Sequence, residues 1–542
     1  MAFVASAFFL QLMRSISNQP AATRWWLYPL TGLLLVAGWP MSPLTPLLFF
    51  AWVPLLWLEA GFASAGRFFW VSWLNMLIWN AGTTWWIWNS TGPGAVGAIM
   101  ANSLLMVFPL MAFRYTRRRA GEVAGYLSFI FYWLTFEYIH HNWELSWPWL
   151  TLGNAFSLHP EWVQWYEYTG TTGGSLWILL FNVLVVYKWR KGNGHNSWYA
   201  WPALVMMAPI LISLLIHPEK HAPQATATSP NVVVVQPNVE PYTEKFNTPP
   251  EQLVASLISL SESAIDSNTR MLVWPETAIP AQAWEHKMME NPVFQPVYDF
   301  VKKHPRILLV TGIDSYKYWG AENPGTFSIR QMNDGSYYEA FNTAMGVDSN
   351  LQPQLYHKAK LVPGVEALPS WLGFMGSLFD EFGGISGALG RSNKAEVFSS
   401  TASPYKPAPI ICYESIYSNY ATEYVRNGAN VFTIITNDGW WGQTPGYRQH
   451  MSMARLRAVE SRMWVARSAN TGISCFIDPA GEVMQPQPWD TKAAIKMTLP
   501  VNGHHTFYVQ HGDWMSRLAW PIAVLLFIFA VLKGITRSKM RS

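Results

Sequence analysis

Cysteine is nearly absent, with only Cys412 and Cys475 in 542 residues. That scarcity excludes a disulfide-stapled scaffold or a cysteine-rich metal cluster. Charge is also sparse, at 13% where an average soluble protein carries about 25%. No long basic run with base-reading motifs occurs, so nucleic acid is not an expected partner. Phosphate-cradling and dinucleotide glycine motifs are missing, which leaves no expected cofactor. The adjacent pairs His140-His141 and His504-His505 lack the i, i+4 spacing that turns two imidazoles toward one ion, so no metal site is expected.

Apolar and aromatic residues take the place of charge, with 15% aromatics and 31 Trp. Residues 25–216 are dominated by Leu, Trp, Phe, Val and Ala, whereas 230–512 have an ordinary globular composition. Stretches near the roughly 20 residues that cross a bilayer fall at 25–40, 43–61, 68–88, 94–113, 124–141, 173–188, 198–216 and 516–535. This patterning predicts a membrane domain over 1–220 with seven transmembrane helices, a soluble domain over 230–512, and an eighth transmembrane helix at 516–535. The apolar segment 3–13 lacks a basic flank and a clear cleavage site, and reads as an interfacial helix.

Basic residues fix the expected orientation. Arg14, Arg24, Arg67, Arg114, Arg117, Arg118, Arg119, Lys188, Arg190, Lys191, Lys533, Arg537, Lys539 and Arg541 all fall on one side of an eight-span arrangement. Both termini are then cytoplasmic and residues 217–515 lie outside. Trp79, Trp85, Trp86, Trp88, Trp143, Trp147, Trp149, Trp162 and Trp165 fall near outer span ends, where an interfacial aromatic belt is expected. Pro148, between Trp147 and Trp149, breaks the helix at a point where a lipid could enter. Asn75, Asn80, Asn102 and Asn182 are expected to pack between helices, while Glu137 could be functional.

In the soluble part, apolar β-branched runs at 232–235, 271–274, 307–311, 344–347, 409–412, 431–436 and 473–477 read as strands. Helical patterns lie between some of them, at 252–265, 291–303, 417–427 and 451–461. That alternation predicts an α/β sandwich. Three chemically matched groups stand where strands end: Glu276 after Pro275, Lys358, and Cys412. A thiol is a weak nucleophile until a base takes its proton, a part Glu276 could play. Lys358 could stabilise the oxyanion of an acyl intermediate. Taken singly, each has a plainer reading: an inert buried thiol, a capping acid and a surface charge. Cys412 and Cys475 could also pair as a disulfide, although Cys475 reads as core.

Trp-Pro-Glu-Thr at 274–277, Tyr-His-Lys at 356–358 and Ile-Cys-Tyr-Glu-Ser at 411–415, in this order, resemble the nitrilase superfamily, whose triad is Glu, Lys and Cys. The surrounding spans make the chain similar to the apolipoprotein N-acyltransferases of Gram-negative bacteria, from Trp25 to about Ile535. Further local matches lie at 234–239, 147–150, 436–442 and 467–472.

The resemblance implies a nitrilase-like αββα domain beside an α-helical membrane bundle. It makes Glu276 the general base, Lys358 the oxyanion lysine and Cys412 the acylated nucleophile. Glu366 matches the family's second glutamate, and Tyr413 and Glu414 match the pair after the nucleophile; Trp149 is a candidate substrate contact. One departure is the order Pro-Gly-Val-Glu at 363–366, where the family has Pro-Phe-Gly-Glu. The implied acyl donor is a phospholipid and the implied acceptor a diacylglyceryl-modified apolipoprotein, at the periplasmic face of a bacterial inner membrane, with a monomeric enzyme. A membrane-tethered amidase acting on a small substrate is the alternative. The apolar stretch 367–392 is expected to form a lid against lipid.

Overall fold

The computed structural model describes residues 25–191, 200–216, 229–367, 388–501 and 505–539. The segment 3–13, the histidine at 504 and most of the expected lid, 368–387, lie outside the described residues.

Among the described residues, three helices are long and apolar enough to cross a membrane: Gly92–Ala120, Tyr166–Lys191 and Trp514–Arg537. The other expected spans are shorter or more polar. Trp25–Gly38, Thr45–Glu59 and Trp201–Leu215 are apolar but fall below spanning length. Ala65–Thr84 and Glu122–His141 reach 20 residues but carry buried Asn75, Asn80, Glu137 and His140.

The asparagines do pack between helices, and one repairs a broken helix. The stretch 48–59 splits at Trp52, which leaves backbone groups unpaired in an apolar setting. Asn182 accepts from Trp52 N at 2.9 Å and donates to Leu48 O at 2.9 Å, closing the gap. Asn75 does the same between Gly32 N and Tyr28 O, at 2.7 and 2.6 Å. At one end of the bundle, fully buried Glu59 is ion-paired with Arg114, Arg117 and Arg118. Arg190 pairs with Glu122 at the same end, and Arg537 reaches the Arg118 carbonyl. The aromatic belt is only partly as expected: Trp85, Trp88 and Trp143 are exposed, but Trp79, Trp86 and Trp149 are buried.

The soluble part is built from thirteen strands among the described residues. In chain order these are β1 Asn231–Gln236, β2 Thr269–Val273, β3 Ile279–Trp284, β4 Leu308–Gly320, β5 Arg330–Gln331, β6 Tyr337–Val347 and β7 Gln354–His357. They continue as β8 Pro407–Ile411, β9 Val431–Thr436, β10 Val465–Ala469, β11 Cys475–Ile477, β12 Val483–Met484 and β13 Ala493–Thr498. The larger sheet runs β13-β1-β2-β4-β6-β5, with β3 on β4 and β7 on β6; the smaller runs β12-β11-β10-β9-β8. β1, β2 and β4 are parallel neighbours, as are β8, β9 and β10.

Strand alternation explains the layering. Val232 and Val234 of β1 face the core between the sheets, while Val233 and Val235 pack with Val254 and Leu257 of helix Pro250–Glu262 and Val297 of helix Gln295–Lys303. Met271 and Val273 against Leu272, and Leu308 and Val310 against Leu309, repeat the pattern. Helices Ser418–Arg426 and Pro445–Ser461 cover the smaller sheet. The result is a helix–sheet–sheet–helix stack, as the sequence leads one to expect.

The two parts share one apolar core, which runs from Leu35 and Trp133 of the helices to Ile410 and Ile434 of the smaller sheet. Polar pairs stitch the same junction. Ser157 and Ser452 hydroxyls meet at 2.9 Å, and Arg462 binds Glu167 at 2.6 Å and the Gln164 carbonyl at 2.7 Å.

Candidate active site

β8 ends at Ile411, and Cys412 opens a 3₁₀ turn over Cys412–Ile416. Its φ of 47° lies in the left-handed region, a conformation that costs a residue with a β-carbon roughly 1–2 kcal/mol. This sharp reversal takes the thiol out of the ladder while keeping it buried. Glu414 holds the turn: its carboxylate accepts from Ile411 N at 2.8 Å, Ala359 N at 2.7 Å and the Tyr356 hydroxyl at 2.6 Å. It therefore ties the Cys412 turn to the loop that follows Lys358. Burial pushes the Glu414 carboxyl up, and these bonds pull against it.

Glu276 follows Pro275 past the end of β2, and Gly312 of β4 lets the two backbones approach. A β-carbon at Gly312 would lie 2.4 Å from Thr277 N and 2.6 Å from the Glu276 Cα. Glu276 Oε1 accepts from Asn342 Nδ2 at 2.8 Å and Lys358 Nζ at 3.3 Å, and Oε2 accepts from Asn437 N at 3.0 Å. Lys358 Nζ donates at 2.8 Å to Glu366 Oε1, which Asn342 also reaches at 3.1 Å. Glu366 Oε2 accepts from Val362 N at 2.8 Å, closing its own loop.

Burial alone would lower the Lys358 pKa, but the carboxylates of Glu366 and Glu276 outweigh it and hold the ammonium above its usual range. Cys412 moves the other way from a reactive thiol. Burial, the Glu276 charge and Asp438 raise it well above normal, against smaller opposing effects of Lys358 and Thr436. At neutral pH it is a protonated thiol, and it needs a base to become a nucleophile.

The structure thus brings Glu276, Lys358, Glu366 and Cys412 into one buried cluster, with Glu414 behind it. Tyr413 turns toward the helical domain: its hydroxyl donates to Ser146 O at 2.9 Å and its ring stacks on Trp147 at 6.0 Å. Trp149 is only 1% exposed; it donates to Gln449 Oε1 at 2.8 Å and packs on Trp86, Trp441 and His450. It sits in the domain junction, one ring away from the Cys412 carbonyl, which His450 contacts at 3.1 Å.

Sequence reasoning missed several participants. Asn342 lies inside β6, where a polar residue in a strand gives no signal of its own. Asp438, His450 and Arg467 form a fully buried group, with His450 Nδ1 2.9 Å from Asp438 Oδ1 and Arg467 donating at 2.8 Å to Asp438 Oδ2. Burial alone would raise Asp438, but Arg467 and His450 bring it down to about 2. Asp438 and Arg467 stand within runs that carry the family resemblance, which was the available clue. Lys245, also buried, donates to Thr277 beside Glu276, and burial lowers its pKa. Both cysteines are free and buried. Among the described residues, no group of three or more His, Cys, Asp or Glu side chains could hold a metal ion.

Residues 231–503 match the family model of carbon-nitrogen hydrolases, the enzyme class that the two-sheet fold and the Glu-Lys-Cys cluster define. Residues 31–184 match the model of the apolipoprotein N-acyltransferase N-terminal domain. An apolipoprotein N-acyltransferase of Chlorobaculum tepidum is 32% identical over 93% of this chain and 96% of its own. One from Geobacter metallireducens is 26% identical over 89% and 91%. The chain belongs to the apolipoprotein N-acyltransferase family and is an acyltransferase. Among solved structures, an amidase from Nesterenkonia sp. is 14% identical over 55% of this chain and 99% of its own, at a TM-score of 0.36, too low to carry an argument.

Proposed function

We propose that this enzyme transfers a fatty acyl chain from a phospholipid to the N-terminal amine of a diacylglyceryl-cysteine lipoprotein, through a thioester on Cys412. The observation that carries the reading is a neutral, buried thiol beside a carboxylate and an ammonium, in a core continuous with apolar helices. In the first half-reaction Glu276 takes the Cys412 proton and the thiolate attacks the ester carbonyl. Lys358 stabilises the oxyanion. As the C–O bond breaks, Glu276 returns its proton to the departing lysophospholipid oxygen. In the second half, the acceptor's amine attacks the thioester, Glu276 takes the amine proton, and sulfur leaves to regain it. Glu366 and Asn342 keep Lys358 and Glu276 in register.

Matching relatives over nearly the full length, and the match at 31–184, favour N-acylation over the amidase alternative. We further read eight spans, with the catalytic domain on the periplasmic side of a bacterial inner membrane and both termini cytoplasmic. Support comes from the Arg114, Arg117, Arg118, Arg190 and Arg537 cluster, gathered at one end of the bundle.

Intact-mass analysis tests the chemistry. Wild-type protein incubated with phospholipid should gain one acyl chain on Cys412, and addition of a diacylated lipopeptide should discharge it. An adduct that persisted at full yield in Cys412→Ala would end this reading.

A further inference from the structure

Cys412 is held in a backbone conformation that its β-carbon disfavours, so its surroundings must over-determine it. Besides Glu414 and Ser415, one group that does so comes from helix Pro445–Ser461. His450 Nε2 lies 3.1 Å from the Cys412 carbonyl oxygen and 2.8 Å from Ser415 Oγ, and that hydroxyl also donates to the Cys412 carbonyl at 2.8 Å. The far side of the ring is anchored as well: Nδ1 is 2.9 Å from Asp438 Oδ1, and Arg467 holds that carboxylate by donating to its Oδ2 at 2.8 Å. Thr436 Oγ1 donates to Asp438 at 2.9 Å. Trp149 of the helical domain stacks on the imidazole at 5.9 Å and 29°, and Trp441 meets it edge-on at 5.4 Å. His450 is fully buried.

We propose that His450 is a positioning residue for the acyl transfer: it grips the Cys412 carbonyl and so aims the Tyr413 N–H, with Trp149 of the helical domain bracing its ring. The carbonyl of residue 412 and the N–H of residue 413 are opposite edges of one trans peptide plane. Fixing the first fixes the second. The Tyr413 N–H belongs to the residue directly after Cys412, whose sulfur would bond the acyl group. An oxyanion formed there gains most from donors oriented before reaction begins. Lys358 brings charge, and the Tyr413 N–H brings a second, directional donor. The helical domain thereby takes part in catalysis without touching substrate.

The inference rests on the thioester reading above, and the experiment separates the two. Full-length protein in detergent is assayed with phospholipid and a diacylated lipopeptide for kcat, KM, Cys412 acylation by intact mass, and unfolding temperature. His450→Gln can place an amide near the Nε2 position, whereas His450→Asn can place one near Nδ1. His450→Asn is expected to lower kcat about 10²-fold, the scale of losing an oxyanion donor, with KM little changed. His450→Gln should recover about tenfold of that loss. Trp149→Leu should lower kcat in the same direction by less.

Equal kcat in the Asn and Gln variants, or a loss carried by KM alone, would overturn the positioning role while the wild-type adduct still upheld the thioester. A wild type that forms no Cys412 adduct sinks both. If neither His450 variant folds, Ser415→Ala decides, since it removes the other group on the Cys412 carbonyl: a lowered kcat supports the proposal, and an unchanged one overturns it.

Discussion

Two buried ionic clusters lie in different parts of this molecule, one in the helical bundle and one in the two-sheet domain, and their stoichiometries are inverted. Near the end of helix Val53–Glu59 one carboxylate, Glu59, meets three guanidinium groups. Beside Cys412 one ammonium, Lys358, meets two carboxylates. At the first, surplus donors are absorbed by backbone: Arg114 reaches Phe62 O at 2.8 Å, and Arg118 reaches the same oxygen at 2.9 Å. The Glu59 carboxylate is committed to guanidinium groups, with Arg117 Nε left unpartnered, so the cluster holds helices together and offers no free acceptor for a proton. At the second, acceptors are in excess. Lys358 sits closer to Glu366, at 2.8 Å, than to Glu276, at 3.3 Å. Each carboxylate accepts three hydrogen bonds, but Glu276 is the one less tightly paired with the ammonium, and the thiol beside it still carries its proton. An ammonium shared unequally between two carboxylates is an arrangement that suits the base proposed for Glu276.

That contrast can be broken from the active-site end first. Cys412→Ala should abolish the acyl adduct and lower turnover by about 10⁴-fold or more, in line with removal of a nucleophile, as read by single-turnover acylation. Glu276→Gln removes the surplus acceptor but keeps its shape, and should cost about 10²–10⁴-fold in kcat. Lys358→Met should cost about 10²–10³-fold in the acylation step. It also leaves two carboxylates uncompensated, so its unfolding temperature should fall. In the other cluster, Glu59→Gln should leave acylation of Cys412 intact. It should destabilise the protein by about 3 kcal/mol, read as thermal unfolding in detergent, because it strands buried guanidinium groups. A Glu59 variant that lost acylation at an unchanged unfolding temperature would break the comparison.

The thiol offers a smaller, sharper test. Its pKa is raised, so the thiolate fraction is low at neutral pH and grows tenfold per unit below that pKa. Alkylation by iodoacetamide should therefore still be climbing at pH 9. Because Glu276 contributes to the rise, Glu276→Gln should shift that curve to lower pH. Cys475, pushed up to about 12 by burial, should stay unlabelled throughout.

Much of the soluble fold was legible because its central strands are buried on both faces. The run Val-Val-Val-Val in β1 and Val-Phe-Thr-Ile-Ile-Thr in β9 admit little else. β10 was not legible: Val-Ala-Arg-Ser-Ala is fully buried, yet it carries an arginine whose partner, Asp438, is 29 residues away. The short strands β5 and β12 have only two residues each, too few for a period. The strand-end positions of Glu276, Lys358 and Cys412 could be read because Pro275 and the turn after Ile411 interrupt apolar runs. Asn342, His450 and Lys245 could not be, since their roles come from contacts across the tertiary fold. The helical domain was legible as apolar but not in detail. The break at Trp52 depends on Asn182, 130 residues further along.

The shared core also has a consequence for biogenesis. Trp86, Trp149 and Glu167 leave the ribosome well before Trp441, His450 and Arg462, the groups they receive. The sheets therefore mature against a surface already made, and that surface serves as a template. Completion waits for the other end of the chain, because Tyr508 donates or accepts across a 2.7 Å contact to Ser418 and Thr506 caps onto the Glu460 carbonyl at 2.7 Å. A chain halted before residue 506 would carry every group of the Glu-Lys-Cys cluster and still lack the last wall around the helices that hold it.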